Sequence, residues 1–129
     1  MRLRPVRPMG LGPKSLADRE LRQEQLCKRF EVPAAYVDDS SVLGVSRGVF
    51  AGEWPINGQR YPAASGESGW YIWSGTEFSE SPDFFAPNHS CHVLERRPEL
   101  LPYLGLPAGW RFLIAPGYED VWFDDSLLR

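Results

Sequence analysis

Between Ser65 and Glu80 the chain reads SGESGWYIWSGTEFSE, two tryptophans, a tyrosine and three glutamates set around three Ser-Gly pairs. Glycine turns bracketing a short run of aromatic and β-branched residues predict a strand over Gly69 to Ser74. Side chains alternate across a strand, so Trp70 and Ile72 face one side and Tyr71 and Trp73 the other. Both faces are therefore apolar. Such a strand is either central in a sheet with cover on both sides, or it turns one aromatic face toward a partner.

The flanking sequence supplies the rest of a sheet. Ser41 to Arg47 is β-branched and bounded by turn residues, and Gly48 to Trp54 reads as a second pass. Asn57-Gly58 predicts a tight hairpin turn, with Gln59 to Tyr61 returning as a strand. Phe84 to Pro87 reads as an apolar loop. Near the end, Gly109 to Ala115 and Tyr118 to Phe123 form a hairpin about Pro116-Gly117. Helical spacing of Leu16, Leu21, Leu26 and Phe30, with Ser15 as cap and Pro33 as stop, predicts a helix over 15–30. Two short helices are expected, over His89 to Glu95 and from Pro98 to Leu104. Helices and strands do not alternate regularly. The expected fold is α+β: a single domain with a mainly antiparallel sheet of about five or six strands, on which the N-terminal helix and the short helices pack.

One domain suits 129 residues of which 43% are apolar. Residues 1–14, with three prolines and two glycines among arginines, read as a flexible basic arm, and 15–129 as the domain. There is no run of about 18 apolar residues and no apolar signal-peptide segment, so a cytoplasmic protein without a membrane partner is expected. Cys27 and Cys91 stand far apart without CxxC spacing, which favours two reduced thiols over a disulfide or zinc site.

Charge divides unevenly. Residues 1–30 carry eight basic and three acidic groups, a net of +5, and the remainder six basic and fourteen acidic, a net of −8. An acidic body repels a phosphate backbone and attracts a basic protein, so no nucleic-acid partner is expected.

Chemistry-bearing motifs are sparse. His89-Ser90-Cys91-His92, with Glu95, gathers two imidazoles, a thiol and a carboxylate. On a helix, however, His89 and Glu95 diverge by about 120° around the axis, which suits two metal ligands better than three. Glu119-Asp120 and Asp124-Asp125 alternate faces on a strand and do not make a carboxylate pair. Neither a phosphate-cradling glycine loop nor a dinucleotide fingerprint occurs.

Five segments in order carry a resemblance: Val45-Ser46-Arg47, Glu67-Ser68-Gly69-Trp70, Ser74-Gly75-Thr76-Glu77, Leu100 to Leu104, and Gly109 to Phe112. Together, over roughly residues 41–125, they resemble the bacterial immunity-protein family numbered thirty-three in the immunity series. The resemblance implies an α+β fold and a protein that neutralises a toxin made by the same or a neighbouring cell. It makes Ser68, Gly69, Trp70, Ser74 and Gly75 a structural motif around the aromatic strand. The expected partner surface is an acidic, aromatic face of Glu67, Trp73, Glu77 and Glu80, with Glu119 and Asp120, acting without cofactor or metal and without catalytic residues. Glu67 and Glu77 have a competing role as turn caps. The alternatives are a small hydrolase or metal-binding enzyme using His89 and His92, and an accessory protein without a toxin.

Overall fold

The computed structural model describes residues 16–76 and 78–129; the predicted basic arm, the Ser15 cap and Glu77 lie outside them. Helix α1 (Leu16–Arg29) is followed by strand β1 (Val42–Val45), the short helix α2 (Arg47–Phe50), and strands β2 (Ile56–Arg60), β3 (Glu67–Ser74) and β4 (Ala86–His89). Helix α3 (Ser90–Arg96), two single 3₁₀ turns at Pro98–Leu100 and Tyr103–Gly105, and the hairpin β5 (Trp110–Ala115) and β6 (Tyr118–Phe123) complete the order before a last 3₁₀ turn. The six strands form one sheet in the order β4-β1-β3-β2-β5-β6. Only β1 and β3 run parallel; every other pairing is antiparallel. The α+β architecture expected from the sequence is the one observed.

Helix α1 ends by local chemistry before Pro33 is reached. Glu31 takes a left-handed φ of 61°, while its N–H bonds Lys28 O at 3.1 Å and the Val32 N–H bonds Cys27 O at 3.2 Å. This is the paired 5→2 and 6→1 closure that a glycine normally permits, here made by a glutamate. Of the predicted helix anchors, Leu26 is buried, but Leu16 and Leu21 are 65% and 51% exposed. The inward positions belong instead to Gln23 and Cys27, whose side chains bond the carbonyls of Leu101 and Gly105.

Three expectations are corrected. Asn57-Gly58 is not a turn but the middle of β2. Gly58 is required because the Phe112 ring lies on it: a Cβ there would come within 2.3 Å of that ring. The Asn57 amide, meanwhile, donates to Gly75 O at 3.0 Å. Gly48 to Trp54 is not a strand, since α2 and a turn occupy it. The Phe84 to Pro87 loop gives way to β4 from Ala86 onward, an edge strand where Pro87 is tolerated.

The core lies on one side of the sheet. Leu43, Val45, Trp70, Ile72, Phe112 and Ile114 meet α1, α2, α3 and the 3₁₀ turns through Leu26, Val49, Val93, Leu100 and Leu104. Inside it sits Arg60, whose guanidinium and Nε donate to Ala35 O, Leu106 O and Ser68 O at 2.8 Å each, and to Leu104 O at 3.3 Å. No described carboxylate pairs with it; burial pulls this group down to about 10.

Candidate binding face

The Ser-Gly pairs shape the aromatic strand. Ser68 Oγ donates to Val42 O at 2.9 Å and accepts from Trp70 N–H at 3.1 Å, bridging a break in the β1–β3 register between Val42 and Gly44. Gly69 has φ 86°, and a Cβ there would fall 2.0 Å from Tyr61 O, so the bulge tolerates no side chain. Beyond it Trp70 is 1% exposed and donates its indole N–H to Leu104 O at 3.0 Å. At the far end Gly75, φ 82°, turns the chain out of the sheet, and its N–H bonds Pro55 O at 2.9 Å. These motif positions build the strand.

Cross-strand pairing defines the opposite face. One row runs Pro87, Gly44, Tyr71, Gln59, Arg111, Trp122, and the next runs Trp73, Asn57, Leu113, Asp120. The buried side chains of α1, α2 and α3 join the core on the other side of the sheet. A loop covers part of these rows: Phe78 and Phe85 meet the Trp73 ring at 5.2 and 6.1 Å, leaving it 6% exposed. Tyr71 and Phe78 remain 40% and 50% exposed. Tyr71 stands edge-on between Tyr61 at 5.6 Å and Phe85 at 5.2 Å. Its ring is seated on Gly44, where a Cβ would approach within 2.8 Å. On either side of Tyr71 lies a concavity, one of about 340 Å³ shared with Tyr61 and Phe78, the other of about 250 Å³ bordered by Val42 and Pro87; Glu67 lines both.

The predicted partner-binding residues do not all meet. Glu67, Trp73 and Asp120 share this face, Glu80 is exposed in the loop beside it, and Glu77 lies outside the described residues. Glu119 pairs with Ile114, on the core side. Its carboxylate accepts from both terminal nitrogens of Arg29 and from the Tyr103 hydroxyl, tying α1 to β6. The Arg29 hydrogen bonds hold Glu119 below the usual carboxylate range, while burial and that carboxylate push Tyr103 up. Glu119 is thus occupied by its own chain.

The one arginine in these rows, Arg111, is already paired with Asp124 at 3.0 Å. No lysine or arginine occurs from Tyr61 to Glu95, a span with five acidic residues. Sequence reasoning passed over Tyr61, Phe78 and Phe85; the signal available for Tyr71 was its alternation with Trp70.

The enzyme candidates are less organised. His89 and His92 place their rings 5.9 Å apart at an exposed edge. Among the described residues no group of three His, Cys, Asp or Glu side chains could hold a metal ion. Both cysteines are free, and no described helix is long and apolar enough to cross a membrane.

Comparison with protein families finds a match to the Imm33-like domain over residues 22–124. The chain belongs to the Imm33-like family. The Imm33-like match begins before the resemblance noted from residue 41 and takes in most of α1, consistent with the burial of Gln23, Leu26 and Cys27 in the core. No curated protein and no solved structure matches this Imm33-like chain.

Proposed function

We propose that this protein is an immunity-type inhibitor that binds a bacterial toxin and blocks it by covering its surface, with the open face of the sheet as the contact. The observation that carries the reading is the pairing of membership in the Imm33-like family with a sheet face, opposite the helix-packed core, that bears exposed rings and a rim without lysine or arginine from Tyr61 to Glu95. Stable protein interfaces need buried aromatic anchors within a patch of about 800 Å² per partner, and negative potential speeds encounter with a basic surface. Glu67, Glu80 and Asp120 would supply the charge, and Tyr71 and Phe78 the anchors; Trp73 acts from beneath by supporting Phe78. Glu119 contributes by fixing α1 rather than by contact. Such a protein works by occupancy, in the cytoplasm of the cell it protects.

The test is co-expression with the secreted toxin whose reading frame neighbours that of this chain. Growth should be restored by the parent protein and lost with the folded Glu67→Lys, Glu80→Lys double variant. Failure of the parent protein, present in excess and folded, to protect against that toxin would overturn the reading.

A further inference from the structure

Resting on the binding face proposed above, we infer that the larger concavity beside Tyr71 is an arginine slot, receiving one guanidinium from the toxin as the anchor of the contact. Three observations converge on it. First, the walls are rings: Tyr61, Tyr71, Phe78 and Phe85 surround a space of about 340 Å³, and Phe78 and Phe85 are held 5.9 Å apart by mutual packing. Ring faces attract cations, and the planar guanidinium stacks where an ammonium does not.

Second, Glu67 borders the same space and makes no ion pair or side-chain hydrogen bond with any described residue. A carboxylate at the mouth of an aromatic slot offers the paired acceptor geometry that a guanidinium uses. Third, the chain itself shows what its rings take elsewhere. Arg29 lies over Phe30 at 5.2 Å, Arg96 over Phe50 at 5.0 Å, Arg97 over Trp54 at 4.6 Å and Arg111 over Trp122 at 5.3 Å. No described arginine lies over Tyr61, Tyr71, Phe78 or Phe85. The neighbouring Arg60 is directed into the core instead. This group of rings is the one large aromatic cluster among the described residues without a cation of its own.

The probe is N-acetyl-arginine amide, titrated into the full chain beside its neutral isostere N-acetyl-citrulline amide, with backbone amide shifts followed by NMR. The arginine compound should move Gly69 and Tyr71 and bind at least about tenfold more tightly than the citrulline compound. Glu67→Gln should weaken it by about tenfold, Tyr71→Leu should weaken it as well, and Tyr71→Phe should keep it. Unchanged shifts outside the slot confirm that each variant is folded. Equal binding of the two compounds, absence of shifts at Gly69 and Tyr71, or indifference to Glu67→Gln overturns the slot. Protection against the toxin that survives Glu67→Gln and Tyr71→Leu would sink the slot and spare the immunity reading. Arginine-selective uptake by a protein that protects against no neighbouring toxin would do the reverse.

Discussion

Arg60 and Trp70 donate to the same acceptor, the carbonyl oxygen of Leu104, at 3.3 and 3.0 Å, with the guanidinium 5.6 Å from the centre of the indole ring. The pair joins β2 and β3 to the 3₁₀ turn that closes the core. It explains why a cation stands inside a sheet: Arg60 serves four carbonyls drawn from a loop, the bulge of β3 and the 3₁₀ turn with its exit, those of Ala35, Ser68, Leu104 and Leu106.

Replacing Arg60 by methionine should therefore cost about 3–5 kcal/mol, because several buried carbonyls lose their donor at once. Urea unfolding at neutral pH measures it; a loss below 1 kcal/mol would mean that water replaces the guanidinium. Trp70→Phe should cost less, about 1–2 kcal/mol, since Arg60 still satisfies Leu104.

Glycines with left-handed backbone separate by surroundings. At Gly66, φ 88°, a Cβ meets nothing within 4 Å, whereas at Gly69 it strikes the Tyr61 carbonyl. Gly66→Ala should lose about 1–2 kcal/mol from backbone strain alone, and Gly69→Ala a further ~1–3 kcal/mol from the collision. Equal thermal midpoints for the two would contradict the bulge geometry.

Glu31→Gly should stabilise the fold by about 1 kcal/mol, because the α1 cap already has the left-handed φ that glycine adopts without strain. A higher denaturation midpoint at unchanged slope is the expected readout.

Glu119 carries a depressed folded-state value, chiefly through its hydrogen bonds to Arg29. Its contribution is then fully present above the ordinary value of 4.5 and fades as pH falls below that toward the depressed one. Partial exposure of both side chains keeps the effect within about 1 kcal/mol. Glu119→Gln should flatten the acid limb of the stability profile, and a profile identical to that of the parent would rule this pairing out as a source of acid sensitivity.

Under the proposed immunity role, association with a basic toxin should slow steeply as salt rises, since exposed charge acts on the encounter rate. Stopped-flow rates that ignore ionic strength would exclude steering by the acidic rim.

Much of this architecture was legible where alternation and punctuation agree. Trp70, Ile72 and Tyr71 occupy the expected faces, and Pro116-Gly117 closes the final hairpin. Legibility failed where a residue answers to a distant partner. Asn57-Gly58 has the composition of a turn, but its glycine accommodates Phe112 and its asparagine reaches Gly75, contacts invisible to local rules. Likewise nothing within Gln59-Arg60-Tyr61 announces that Arg60 binds carbonyls as far away as Ala35 and Leu106. For the open face, acid content pointed to Glu119 as readily as to Glu67; strand alternation and the position of Arg29 distinguish them only once the register is known.

The register of β2 has a temporal consequence. Its Ile56 pairs with Ile114, and its Arg60 awaits acceptors at Leu104 and Leu106, so a nascent chain that has reached only β4 has a half-finished sheet and a stranded guanidinium. Non-local closure of this kind is slow and late. On the ribosome, the fold becomes whole only after the final hairpin has emerged, so any contact that needs the finished sheet begins at that moment rather than gradually during synthesis.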